Sequence, residues 1–164
     1  MTQGSGPQPA QEGPPFELEI GSGKGTFLLQ EAPAHPDTNF LGVEWAGEFY
    51  RYAADRLRRA KVPNVRMLYG DATEVVTAWF PDACCRVVHL YFSDPWPKAR
   101  HHKRRVVQDA SLVQFHRILV PGGELRIVTD HDALWAWNEE HAARHAHLFD
   151  RIAFAKPASA ADGE

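Results

Sequence analysis

Asp94 stands between a hydrophobic segment and a dense run of basic residues, and this combination is the clearest chemical signal in the chain. Residues 86–92 have the pattern of a strand, and Pro95-Trp96-Pro97 stiffens the turn after Asp94. Residues 98–105 hold five of the 18 Lys and Arg residues, although the formal net charge is only −3. A carboxylate beside clustered cations is typical of a site that handles a polyanion, most simply a nucleic acid. A solvated helix start is the alternative interpretation of the basic run.

A glycine-rich turn, Gly21-Ser22-Gly23-Lys24-Gly25, follows the first hydrophobic segment and is preceded by Glu19-Ile20. Glycines let the backbone turn sharply and approach a ligand closely. The spacing differs from the Gly-x-Gly-x-x-Gly dinucleotide fingerprint, and a carboxylate at Glu19 would repel a pyrophosphate. It would suit a cationic ligand, such as the amino end of S-adenosylmethionine. A tight strand-to-helix turn without a ligand is the alternative.

Further acids lie at the ends of other predicted strands. Glu44 lies about 20 residues beyond the glycines, where an acid binds ribose hydroxyls in folds that hold adenosine cofactors. Asp71 follows the third strand, where it could accept from an adenine amino group while its small neighbour Ala72 leaves room for the ring. A solvated carboxylate at Glu44 and a helix cap at Asp71 or Thr73 are the alternatives. Asp130 ends the fifth strand and adds another carboxylate.

Positioning these acids together requires a framework that brings strand ends to one rim. Hydrophobic periodicity predicts strands over residues 16–20, 39–44, 64–69, 86–92 and 124–129, and the start of a sixth within 148–154. It predicts helices from the glycine turn to about 34 and over residues 46–61, 73–80, 106–119 and 133–147. Residues 121–123, Pro-Gly-Gly, read as a turn. This alternation predicts an α/β fold: a doubly wound, mostly parallel, Rossmann-like sheet in a three-layer sandwich.

The composition of the 164 residues indicates a single globular domain. We expect a disordered lead over 1–15, the domain over 16–155 and a loose tail over 156–164. No apolar run is long enough to cross a bilayer and no secretory signal is evident, so no membrane partner is expected. The adjacent Cys84 and Cys85 indicate a reducing, cytoplasmic protein. His141 and His145 have a spacing that can bind metal, but lack the further ligands of a zinc site, so no metal is expected.

The chain resembles the bacterial tRNA (guanine-N7-)-methyltransferases. The similarity runs from about residue 16 to 152, and its most specific part is Asp-Pro-Trp-Pro-Lys at 94–98 with Arg-His-His-Lys-Arg-Arg at 100–105. Shorter matches are Glu-Ile-Gly-Ser-Gly-Lys-Gly, Asn-Phe-Leu-Gly-Val-Glu, Gly-Asp-Ala, Pro-Gly-Gly and Thr-Asp, at 19–25, 39–44, 70–72, 121–123 and 129–130.

The resemblance implies a class I methyltransferase fold, S-adenosylmethionine as the methyl donor, and a guanine in the variable loop of tRNA as the substrate. It places Asp94 at the reaction centre. The cofactor-binding residues that it implies are Glu19, Gly21, Gly23, Glu44, Asp71, Ala72 and Asp94. The substrate-binding residues are Lys98, Arg100, His101, His102, Lys103, Arg104, Arg105 and Asp130. A monomer and a homodimer both remain open.

The family normally continues to a Thr-x-Phe-Glu segment, which we do not find before Glu164. We therefore expect the last strand or strands of the sheet to be missing. A cofactor-binding or RNA-binding domain without full activity is the alternative function. A methyltransferase acting on a small molecule would leave the basic run unexplained. The glycine spacing and Glu19 both disfavour a nicotinamide-dependent dehydrogenase.

Overall fold

The computed structural model describes residues 13–160, and these contain a five-stranded sheet in the order β3-β2-β1-β4-β5. All four strand pairings are parallel, which confirms the predicted doubly wound fold. The first 12 residues of the predicted lead and the last four of the predicted tail lie outside the described residues. The strands are β1 Phe16–Ile20, β2 Asn39–Glu44, β3 Val65–Tyr69, β4 Cys85–Tyr91 and β5 Leu119–Val128.

Helices cover both faces of the sheet and complete the three layers. Phe27, Leu28 and Leu57, from α1 and α2, are buried in one hydrophobic cluster. Val76 and Phe115, from α3 and α4, are buried in the other. Parallel sheets need this double cover because both of their faces are apolar. The helices are α1 Thr26–Ala34, α2 Gly47–Arg59, α3 Ala72–Trp79, α4 Asp109–Ile118 and α5 Asp132–Arg144, with a 3₁₀ helix over Ala99–Arg104.

Two elements begin at least three residues away from their predicted starts. Helix α4 begins at Asp109 rather than at residue 106, because Gln108 and Ser111 form a reciprocal capping box. Strand β5 already starts at Leu119, so residues 121–123 lie inside a strand rather than in a turn. The register between β4 and β5 shifts over this stretch, which accommodates the extra residues as a bulge.

The predicted sixth strand is absent from residues 13–160, where the sheet ends at β5. After α5 the chain packs against β4 and β5 through side chains instead. The Phe154 ring stacks on Tyr91 at 6.4 Å, and the Arg126 guanidinium lies 5.2 Å from the Phe154 ring. Ala160 reaches the hydrophobic cluster under α1. A cavity of about 650 Å³ remains between β5 and α5.

Residues 13–160 offer neither a membrane-spanning helix nor a cluster of metal ligands. Among residues 13–160, no helix combines the length and apolarity that a bilayer span requires. Nor does this part group three or more His, Cys, Asp or Glu side chains closely enough to hold a metal ion.

Candidate functional site

The glycine-rich turn after β1 opens onto free space. Gly21 and Gly23 have φ angles of 73° and 51°, in the left-handed region that side chains disfavour. A Cβ atom added at either position would meet no atom within 4 Å, so conformation and not crowding requires glycine there. The amide of Gly21 donates to the Val43 carbonyl at 2.8 Å, which joins the turn to β2. The turn is therefore anchored to β2 by its backbone, while the side on which a Cβ would stand is open.

Glu44, the last residue of β2, holds the glycine turn in place. Its Oε2 accepts a hydrogen bond from the Gly23 amide at 2.8 Å, and its Oε1 accepts one from the Ala46 amide at 2.8 Å. The side chain is buried, with 4% of the residue exposed. Each carboxylate oxygen has a second lone pair, so ribose hydroxyls remain compatible partners. Glu44 therefore contacts the glycine turn directly, and its contact with ribose hydroxyls remains a prediction.

Glu19 is buried at the end of β1 without a full set of partners. Only 4% of the residue is exposed, and its Oε2 has no hydrogen-bond partner among residues 13–160. Burial, together with the nearby Glu44 carboxylate, raises the pKa of the Glu19 carboxyl from 4.5 to about 8, against the opposing effect of the Ser22 hydroxyl. Buried polar atoms are normally hydrogen-bonded. A buried carboxyl with one unpartnered oxygen, beside an open turn, therefore suits a cationic ligand group.

Asp71, and not Thr73, caps the amino end of α3. Its Oδ1 accepts from the Thr73 amide at 2.8 Å and from the Glu74 amide at 3.2 Å. Ala72 is the first residue of the helix. Asp71 is exposed beyond the carboxyl end of β3, on the same rim as Glu44. The cap is thus established, and the adenine contact of Asp71 and Ala72 remains a prediction.

Asp94 lies exposed in a loop that two strained residues enclose. Phe92 and Trp96 have φ angles of 51° and 42°, which are unusual for bulky side chains. The Phe92 amide donates to the Val128 carbonyl at 2.8 Å, and Arg105 Nε donates to the Pro95 carbonyl at 2.8 Å. Backbone strain of this kind persists only where surrounding contacts hold it, and it clusters at functional sites. The loop therefore presents Asp94 in a fixed place.

Most of the basic run is accessible. Lys98, Arg100, Lys103 and Arg104 are exposed, and within residues 13–160 none of them forms a salt bridge. The half-buried His101 ring lies edge-on to Trp96 at 5.8 Å. These side chains form one cationic surface beside the Asp94 loop.

Two members of the predicted substrate-binding set face the protein interior instead. Arg105 is only 4% exposed, and its guanidinium lies over the Trp137 ring at 4.9 Å. The His102 ring lies 5.3 Å from the same indole, and its Nε2 is buried. Arg105 and His102 thus pack against Trp137 of α5 rather than extending from the surface, and their contact with RNA remains a prediction.

Asp130 is exposed just beyond the end of β5. Because Tyr91 of β4 pairs with Val128 of β5, Asp130 and Asp94 follow adjacent strand ends. The parallel sheet therefore collects the predicted acids on one rim, as the strand pattern indicated.

A buried polar network around Glu17 escaped the sequence analysis. Glu17 Oε1 accepts two hydrogen bonds from Arg86, and its Oε2 lies 2.7 Å from His89 Nε2. His89 Nδ1 lies 2.7 Å from the Tyr91 hydroxyl. Burial alone would raise the pKa of Glu17, but the hydrogen bonds from His89 and Arg86 outweigh it and lower that pKa. Burial lowers the pKa of His89, so a neutral ring donates to Glu17 and accepts from Tyr91.

One sequence signal could have revealed this network. Glu17 and Glu19 alternate with Leu18 and Ile20 in a strand that the pattern predicts to be covered on both faces. A buried carboxylate is unfavourable without a partner. Each of these two acids is therefore expected to lie beside a cation, a hydrogen-bond donor or a bound ligand.

Comparison with known proteins agrees with this architecture. Residues 14–157 match the sequence model of the family described as "Putative methyltransferase". A tRNA (guanine-N(7)-)-methyltransferase of Rhodopseudomonas palustris is 43% identical over 143 residues, covering 85% of this chain and 53% of the relative. The protein of the same name from Geobacillus thermodenitrificans is 39% identical over 124 residues, covering 76% and 57%. The chain thus spans about half the length of these curated relatives.

Solved structures share the fold at low identity. The crystal structure of precorrin-6y C5,15-methyltransferase from Geobacter metallireducens superposes with a TM-score of 0.64 at 15% identity, covering 82% of this chain and 64% of that one. At this level of identity the likeness concerns the fold alone.

Proposed function

Since the chain belongs to this methyltransferase family, we propose that it transfers a methyl group from S-adenosylmethionine to N7 of a guanine in the tRNA variable loop. The buried Glu19 carboxyl beside the open glycine turn carries the proposal. S-adenosylmethionine brings an ammonium group and a sulfonium centre, and a cation near Glu19 would favour its ionised form. The names of the sequence relatives supply the tRNA guanine as the substrate.

The rim residues fit the parts of this cofactor. Glu19 would hold the amino end, and the turn at Gly21 and Gly23 would leave room for the chain that joins it to the ribose. Glu44 would accept from the ribose hydroxyls. Asp71 and Ala72, beyond the neighbouring strand, would border the adenine. When bound, the cofactor supplies an electrophilic methyl group on a sulfonium sulfur.

The role of Asp94 follows from the chemistry of guanine. N7 of a neutral guanine carries a lone pair, so its attack on a methyl group requires no prior removal of a proton. Catalysis is then mainly a matter of positioning the reacting atoms. The base becomes cationic as the methyl group arrives, and a carboxylate nearby stabilises that charge. We therefore assign Asp94 the orientation and electrostatic stabilisation of the base, rather than proton abstraction.

The exposed cations beside Asp94 would hold the RNA. Lys98, Arg100, Lys103 and Arg104 are available to phosphates, with His101 beside them. Asp130, on the next strand end, would contact the base from the other side of Asp94. Contacts between Lys or Arg and phosphates supply most of the affinity of proteins for nucleic acids. A cytoplasmic location, where tRNA is modified, completes the proposal.

The test is methyl transfer from labelled S-adenosylmethionine to unmodified tRNA, followed by mapping of the modified base. We expect N7-methylguanine in the variable loop. Replacing Asp94 by Ala should lower kcat by about 100-fold or more and leave cofactor affinity within about twofold, because the carboxylate acts on the developing charge. Methylation of a different atom would contradict the proposal. Cofactor binding without transfer would leave a cofactor-binding domain in its place.

A further inference from the structure

Two tryptophans meet above the rim, where the proposed function assigns them no part. Trp45 directly follows Glu44, and Trp96 lies two residues beyond Asp94. Their ring centroids are 6.3 Å apart with an interplanar angle of 43°. Strands β2 and β4 flank β1 on opposite sides, so the two indoles approach each other across the carboxyl end of β1.

The two rings are held differently. Trp96 is fixed by its left-handed backbone between Pro95 and Pro97, and the Arg104 guanidinium lies 4.9 Å from its ring. Trp45 is 55% exposed, which is unusual for so large an apolar side chain. A fixed ring opposite a freely exposed one can admit a flat molecule after a small rotation of the exposed ring. A base stacked between two rings needs about 7 Å, twice the contact distance of roughly 3.5 Å between carbon atoms.

We propose that Trp45 and Trp96 form the stacking site for the target guanine and that they favour its N7-methylated form. This inference rests on the proposed function. In the transfer, the N7 lone pair forms the new bond to the methyl carbon, and the electrons of the breaking carbon–sulfur bond stay on sulfur. The sulfonium becomes a neutral thioether, and the positive charge passes to the guanine ring. Aromatic faces attract cations more than neutral rings, so stacking strengthens as the charge develops.

This preference gives the pair a part in the rate as well as in binding. Only interactions that are stronger in the transition state than in the bound substrate accelerate the chemical step. Stacking on an indole does not by itself distinguish one base from another, because every base has an aromatic face. Selection of the guanine is then left to Asp94, Asp130 and the basic surface.

Mononucleotide binding tests the inference without requiring methyl transfer. We would titrate the full chain with 7-methylguanosine 5′-monophosphate and with guanosine 5′-monophosphate, and follow the heat of binding. The variants are Trp45→Ala, Trp96→Phe and, as the control, Trp79→Ala. Trp79 ends α3 and is 80% exposed, so its removal takes away an indole remote from the rim. Parallel titrations with S-adenosylmethionine report whether the cofactor site is affected.

We expect the wild-type chain to bind the methylated nucleotide at least about fivefold more tightly than the unmethylated one. Trp45→Ala should bring that ratio close to one, Trp96→Phe should reduce it in part, and Trp79→Ala should keep it. S-adenosylmethionine affinity should stay within about twofold throughout. Equal binding of both nucleotides by the wild type, or no binding of either, would overturn the inference.

One other result would show that Trp45 and Trp96 contact the cofactor rather than the guanine. If Trp45→Ala weakens S-adenosylmethionine binding and keeps the nucleotide preference, the pair covers the cofactor and the inference is wrong. Failure of the wild type to methylate tRNA would instead count against the proposed function, because nucleotide binding does not depend on transfer.

Discussion

Glu17 and Glu19 lie two residues apart on β1, and both are almost completely buried, yet their environments are opposite. Glu17 is bonded to Arg86 and His89, and these partners lower its pKa. Glu19 keeps an oxygen without a partner among residues 13–160, and burial raises its pKa to about 8. Burial alone therefore does not distinguish a structural acid from a binding acid. The presence or absence of a partner does.

The contacts of β4 explain the difference. Glu17 accepts hydrogen bonds from Arg86 and His89, although His89 pairs in register with Glu19. Both nitrogens of the His89 ring are engaged, by Glu17 and by Tyr91, and neither is left for Glu19. Glu19 lies near the turn that leads into α1. The charged group that acts on it there is the Glu44 carboxylate, and not a cation. The same strand thus satisfies one acid within the protein and leaves the other with an unpartnered oxygen, which we propose binds the cofactor.

The largest expected effect comes from removing the structural acid. Glu17→Ala should lower the free energy of unfolding by about 3 kcal/mol, because it leaves the buried His89 and the half-exposed Arg86 without their carboxylate. Urea denaturation measures this change. Glu19→Gln is the matched control and should change stability by less than about 1 kcal/mol or increase it. Equal destabilisation by both variants would erase the distinction between the two acids.

Ligand affinity should show the reverse order. Glu19→Gln should weaken S-adenosylmethionine binding by about 2 kcal/mol, or roughly 30-fold, because a charge-assisted hydrogen bond to the ammonium group is lost. Calorimetric titration gives the dissociation constant. Glu17→Gln, which retains an acceptor for Arg86, should leave it within about twofold. Unchanged affinity in Glu19→Gln would remove Glu19 from the cofactor site.

The two acids also differ in how they respond to pH. Glu19 has a pKa near 8 in the folded chain and an ordinary value of 4.5, so the folded chain keeps a proton that the unfolded chain releases. Its favourable contribution is complete below pH 4.5 and is lost as pH rises towards 8. Between these values, wild-type stability should fall relative to Glu19→Gln by about 1 kcal/mol per pH unit. Parallel stability–pH curves for the two proteins would contradict this.

Within the basic run, Lys103 is exposed and Arg105 is buried, and we expect smaller effects from replacing them. Lys103→Ala should weaken tRNA binding by about threefold and reduce the salt dependence of binding by about one unit, without loss of stability. Arg105→Ala should lower stability by about 1 kcal/mol, since the bond to Pro95 and the stacking on Trp137 are lost. Binding across a salt series, together with urea melts, distinguishes the two. If Arg105→Ala instead weakened tRNA binding without loss of stability, Arg105 would belong to the RNA-facing surface.

The sequence predicted the framework well because local patterns determine it. The bounds of β1 and β2 agree with the prediction, since short apolar runs between turn residues define them. The turn predicted at Pro-Gly-Gly, residues 121–123, is wrong, although these residue types usually mark turns. Here they form a bulge inside β5, where β4 supplies a shifted register. Pairing between strands is a tertiary property that the local pattern does not contain.

The rim acids could be predicted from the sequence, but their partners could not. Parallel strands end on one edge, so acids that follow strands must converge there. The bond between Glu17 and His89 joins residues 72 positions apart and depends on the register of β1 against β4. Arg105 was predicted to bind the substrate with the rest of its run, and its contact with Trp137 depends on the packing of α5, which the local sequence does not show.

Proton release on cofactor binding is the sharpest test of the role proposed for Glu19. In the free chain at pH 7, Glu19 should hold a proton, because its pKa is near 8, and it should ionise once a cationic ligand is bound. Titration of S-adenosylmethionine in two buffers of different ionisation enthalpy gives the number of protons released. The wild type should release about one proton more than Glu19→Gln. The same proton count in both proteins would contradict the assignment of Glu19 as the acid that receives the cofactor.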